Sequence, residues 1–114
     1  IVPEGREIPV PPTVSVIEVP AQNGRPDLRA GLRALSDRGV GRLLVEGGAV
    51  LCEALLAADL ADRFHLVASP RVIGPHGVPA TILGGLDGRI VAAGLREVDQ
   101  RDLGEDKLRT FERA

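Results

Sequence analysis

The chain has 114 residues, with 14 Lys and Arg against 16 Asp and Glu, a formal charge of -2, hydrophobic residues at 44% and charged residues at 26%. That balance describes one ordinary soluble globular domain and excludes the basic footprint of a nucleic-acid or anionic-membrane binder. The lone cysteine, Cys52, excludes an internal disulfide and points to a reducing, cytoplasmic setting, while no run approaches the roughly 20 apolar residues that cross a bilayer.

Residues 1–12 carry Pro3, Pro9, Pro11 and Pro12, which lock φ and remove backbone donors, so an extended, loosely held arm or linker is expected there. Val14, Val16, Ile17 and Val19 form a β-branched run between Pro12 and Pro20 and read as a short strand. Gln22-Asn23-Gly24-Arg25-Pro26 is turn chemistry. Asp27 then suits the N-cap of a helix with Leu28, Leu32 and Leu35 on one face, and Gly39 stops it. Leu43, Leu44 and Val45 read as an apolar strand of the fully buried kind, so strand, helix and strand together predict a parallel βαβ crossover.

That run breaks at Glu46-Gly47-Gly48, and a helix is predicted from Gly48 to about residue 58, with Leu51, Leu55 and Leu56 on one side and Glu53 on the other. Glycines at a strand-to-helix turn permit close approach, and the first helical amides lack intrahelical acceptors, so an anion is a natural occupant. The same pair would serve equally as a plain turn, with Glu46 as a surface acid favouring the helix start. Phe64, Leu66 and Ala68 alternate with Arg63, His65 and Val67, the period of a strand. Residues 70–88, including Gly74-Pro75-His76-Gly77 and Leu83-Gly84-Gly85-Leu86-Asp87-Gly88, read as a long irregular excursion of the kind that often carries function. Segments 90–102 and 107–113 flank Gly104-Glu105-Asp106 and predict an antiparallel hairpin.

Little of this is catalytic in the usual sense. Ser15, Ser36 and Ser69 lie in no nucleophile elbow, and His65 and His76 stand without partners at metal spacing, so neither a triad nor a metal site is expected. Arg42 and Arg71 are candidates for a phosphate and otherwise ordinary surface charge. The chain has no Met and only two aromatic residues, Phe64 and Phe111, which points to a piece of a longer polypeptide whose ring-stacking contacts come from elsewhere.

The strand ending in Glu46-Gly47-Gly48, the helix phrase Ala54-Leu55-Leu56-Ala57-Ala58-Asp59-Leu60-Ala61-Asp62 and the step Ser69-Pro70-Arg71-Val72-Ile73-Gly74 occur in the order seen in the RibD C-terminal reductase domain of riboflavin-biosynthesis proteins, which the chain resembles. The likeness runs over nearly all of the chain, its specific part being residues 46–74. It implies an α/β fold like dihydrofolate reductase, a sheet flanked by helices with a C-terminal antiparallel hairpin, incomplete here because residues 13–114 correspond to the second half of that domain. By the resemblance, Glu46 lies on the substrate side, and Gly47, Gly48, Ala49, Val50 and Leu51 hold the pyrophosphate region of NADPH. The implied reaction is reduction of 5-amino-6-(5-phosphoribosylamino)uracil to the ribitylamino product. A homodimer through the hairpin and a zinc deaminase domain fused upstream are further implications. The family often has Gly where this chain has Asp59, which puts the helix end in question.

Two other readings compete. One is a non-catalytic structural or dimerisation fragment of the same fold. The other is a dihydrofolate or pterin reductase, disfavoured by the setting of the glycine pair. Even under the riboflavin-type reductase reading, the isolated fragment is expected to be inactive and to bind NADPH weakly or not at all, because only one wall of the site is encoded.

Overall fold

In the computed structural model residues 1–81 and 85–114 are described, and they divide into two units, Ile1–Leu44 and Val45–Ala114. The first unit is built from short local pairings. β1 (Val2–Pro3) runs parallel to β2 (Glu18–Val19). β3 (Ala21–Gln22) returns as β4 (Arg25–Pro26) through Asn23 and Gly24, whose φ angles of 52° and 72° are those of the Asn-Gly hairpin turn.

α1 (Leu28–Ser36) starts where the Asp27 carboxylate accepts from the Ala30 amide at 3.0 Å. It ends where Gly39 turns left-handed at φ +85°, with Gly39 N–H donating to Ser36 O at 2.8 Å and Val40 N–H to Leu35 O at 3.1 Å. This pair of bonds satisfies carbonyls that the helix would otherwise leave open. Both helix ends therefore lie where the sequence puts them.

Two expectations in this unit need correction. The Pro-rich arm 1–12 is not loose at its start: Val2 is buried, its amide donates to Ile17 O at 2.9 Å, and the Glu4 amide donates to Val19 O at 2.8 Å. Ile1 also packs on Gly31, where a Cβ would come within 3.0 Å of Ile1 Cδ1. The strand expected over 14–19 shrinks to Glu18–Val19, because β1 offers it a partner only two residues long.

The second unit holds the larger core. α2 (Ala49–Ala57), β5 (Arg63–Ala68), α3 (Leu86–Ala92), β6 (Leu95–Leu103) and β7 (Asp106–Arg113) follow in order, with the sheet ordered β5-β7-β6 and antiparallel throughout. Leu56 from α2, Ile90 from α3 and Ala93 just beyond it pack on Leu95 and Phe111 of the sheet, with Phe64 and Leu66 alongside. The hairpin turns on Gly104 and Glu105, and Gly104 has φ +69°, as the first residue of such a two-residue turn requires. Val98 is the extra residue of a bulge between Glu97 and Asp99.

The α/β class and the C-terminal hairpin agree with the expectation, and the details shift it in two places. Residues 43–45 form no strand; Leu44 is 77% exposed, and among the described residues no segment pairs with their N–H and C=O groups, so the predicted βαβ crossover is not made. The strand expected from residue 90 begins only at Leu95. Leu86, Ile90 and Ala93 stand at helical spacing, and Gly94, at φ +73°, separates that helix from β6. Of the glycine-rich phrase 83–88, Leu83 and Gly84 lie outside the described residues.

Candidate functional site

Glu46, Gly47 and Gly48 are exposed, and Gly48, with an extended backbone, is the N-cap of α2. The first intrahelical bond is Cys52 N–H to Gly48 O at 3.1 Å, so the amides of Ala49, Val50 and Leu51 have no intrahelical acceptor. No side chain caps them. Glu46 makes no hydrogen bond or ion pair with any described residue, so it does not act as the helix-capping acid. A Cβ on Gly48 would meet nothing within 4 Å, whereas one on Gly47 would stand 2.9 Å from Leu51 Cδ2. The two glycines therefore differ: Gly47 makes room for a leucine of the following helix, whereas Gly48 has open space around its Cα.

The helix behind this turn is rotated relative to the sequence expectation. Leu51 and Val50 are exposed, while Glu53, expected on the outer side, is 8% exposed. One Glu53 oxygen accepts the Thr81 hydroxyl, and the other lies 3.7 Å from Nη1 of Arg89 on α3. Burying a carboxylate is tolerable only with such partners. The buried face of α2 is thus the Glu53 and Leu56 side, with Cys52 half-buried beside it. Burial, and then the neighbouring Glu53 charge, push the Cys52 thiol above its usual range.

Arg71 lies elsewhere, in an open depression of about 410 Å³ with Ser69, Leu103, Glu105 and Asp106, where it pairs with Glu105 at 3.5 Å. His65 sits on β5 with Nδ1 3.1 Å from the Thr110 hydroxyl, and Arg42 and His76 are exposed. Sequence reasoning missed Thr81 and Arg89 altogether. Their only local signal was a hydroxyl and a cation flanking a glycine-rich phrase, and their partner is distant in sequence.

Comparison with protein-family models matches residues 7–107 to the RibD C-terminal domain. The chain belongs to the RibD C-terminal domain family. Membership implies a reductase function in riboflavin biosynthesis, and the mixed α/β build with a C-terminal antiparallel hairpin is consistent with the dihydrofolate-reductase-like fold of that family. The match takes in α1, the 46–51 turn, α2, β5, α3 and β6. A search of curated proteins finds no match. No helix among the described residues is long and apolar enough to cross a membrane.

Proposed function

We propose that this chain is part of an NADPH-dependent reductase acting on 5-amino-6-(5-phosphoribosylamino)uracil, with residues 13–114 as the second half of the reductase domain. Gly47, Gly48, Ala49, Val50 and Leu51 take the pyrophosphate region of the cofactor, and Glu46 lies on the substrate side. The observation that carries this reading is the α2 start: three amides without intrahelical acceptors or side-chain caps, beside a Gly48 with open space around its Cα, in a chain of the RibD C-terminal domain family.

NADPH, when bound, supplies the hydride. The work of these residues is then to hold and orient. The amides fix one end of the cofactor, and the absence of a Cβ at Gly48 lets phosphate oxygens approach the backbone. A homodimer and a fused deaminase domain belong to the same reading.

Substituting Gly48 tests it cleanly, because Gly48 has φ -66° and tolerates a side chain without backbone strain. We expect Gly48→Val to raise the KM for NADPH by about tenfold or more, with a modest fall in melting temperature because valine is a poorer N-cap than glycine. Steady-state NADPH oxidation with the phosphoribosylamino-pyrimidine checks this. An unchanged KM would remove the turn from the cofactor site.

A further inference from the structure

We propose that Glu53 is a positioning residue: its buried carboxylate anchors the end of the 69–81 excursion on α2 through Thr81, and through Arg89 it ties α2 to α3, so fixing the helix that presents the 47–51 turn. The first support is its environment. Glu53 is 8% exposed on a helix whose other eight residues are all apolar, and a carboxylate withdrawn from water in that way is costly unless its oxygens are engaged. Both are: Thr81 donates its hydroxyl to Oε1, and Arg89 stands 3.7 Å from Oε2.

The second support is what the excursion otherwise lacks. At its start Arg71 and Glu105 pair at 3.5 Å with both side chains largely in water, a contact of the kind that contributes little. Between the ends, Val72 and Val78 are 92% and 93% exposed. The Thr81–Glu53 bond is therefore a partly buried side-chain tie between this excursion and α2. The third support is position. Glu53 lies four residues after Ala49, one turn along the same helix from the open amides, so any tilt of α2 that relaxes Glu53 also moves those amides.

The consequence for cofactor binding rests on the reading of the 47–51 turn given above, whereas the anchoring itself does not. The test separates the two with the full-length protein. Thr81→Val keeps the shape and removes the hydroxyl; Thr81→Ser restores it. In Thr81→Val, amide exchange at the first hydrogen-bonded amides of α2, Cys52 to Ala54, is expected to accelerate by about tenfold while the β6 and β7 amides keep their protection. The KM for NADPH is expected to rise by about fivefold with kcat within twofold, and Thr81→Ser to recover both.

Unchanged exchange at the start of α2, or an acceleration shared equally by the β6–β7 hairpin, overturns the proposal, the latter by showing a global loss of stability. Altered exchange confined to the start of α2 with no NADPH binding by the unsubstituted protein supports the anchor and overturns the cofactor reading of the turn. Unaltered exchange with normal NADPH binding does the reverse.

Discussion

The β6 and β7 hairpin and the segment 43–45 reverse the usual relation between apolarity and strand formation. β6 is mostly polar, with Arg96, Glu97, Asp99, Gln100, Arg101 and Asp102 along it, yet it forms a nine-residue strand. Leu43, Leu44 and Val45 are wholly apolar and form none. The difference is the partner. β7 returns to β6 after two residues, so the ladder closes at small entropic cost, and Arg109 bridges Glu97 on β6 at 2.8 Å and Asp87 on α3 at 2.5 Å while lying 4.8 Å over the Phe111 ring. Those hydrogen bonds, to Glu97 first and Asp87 second, hold the guanidinium charged more firmly than usual. A strand meant for burial on both faces must instead find neighbours far along the chain.

The largest test of this contrast sets core against run. Phe111 is 2% exposed within the second unit's core, so Phe111→Ala is expected to cost about 3–5 kcal/mol in urea unfolding. Leu44→Ala should cost no more than about 0.5 kcal/mol, as exposed positions do. Similar losses in the two variants would show that residues 43–45 are buried in solution. A second pair of substitutions compares the turns. Gly104 has φ +69°, where a Cβ is strained, so Gly104→Ala is expected to cost about 1–2 kcal/mol. Gly41 has no positive φ and open space around its Cα, so Gly41→Ala should be neutral or stabilising by up to about 1 kcal/mol. A loss at Gly41 equal to that at Gly104 would mean that the 41–45 stretch is as constrained as the hairpin.

The same contrast explains what was legible beforehand. Features fixed within a few residues could be read directly: the Asp27 cap, the stop at Gly39, the Asn23-Gly24 turn, the alternation of 63–68 and the hairpin at Gly104. α3 was legible in principle, since Leu86, Ile90 and Ala93 have helical spacing, but Gly85 and Gly88 masked it as loop. The burial of Glu53 was not legible, because it depends on Thr81 and Arg89, and a charged residue among leucines ordinarily marks the outer face. At the candidate site the start of α2 after Gly48 was readable, whereas the strand expected to end at Glu46 is not formed. The differing roles of Gly47 and Gly48 needed the position of Leu51.

A smaller effect is expected from Cys52, beside Glu53 on the buried side of α2. Its folded pKa is raised above the ordinary value of 9.0, so the folded state holds the proton more tightly than the unfolded chain does. Its contribution to stability is therefore complete below that ordinary value and is lost as pH rises through the higher folded value. Urea titrations at successive alkaline pH values should show a steeper loss of stability for the unsubstituted chain than for Cys52→Ala. Parallel pH profiles would place the thiol in water.

The finest comparison is between the two helix ends, which share one geometry with different residues. α1 closes on Gly39, and α2 closes on Asp59 at φ +56°, where Asp59 N–H donates to Leu56 O at 3.2 Å and Leu60 N–H to Leu55 O at 2.9 Å. The helix end questioned at Asp59 is thus intact, with an aspartate in a conformation that favours glycine. Three terms decide the effect of Asp59→Gly. Relief of left-handed strain favours it by about 1 kcal/mol, the freer unfolded chain opposes it by roughly 0.4–1 kcal/mol, and the solvent-exposed Arg113 contact at 3.8 Å is worth little. The expected outcome is a change within about 0.5 kcal/mol, and Gly39→Asp, the reverse exchange in the same geometry, should likewise lose no more than about 0.5 kcal/mol. Thermal unfolding of both variants provides the measurement. A loss of more than about 1 kcal/mol for Asp59→Gly would mean that the Arg113 contact, and not the backbone turn, holds the end of α2.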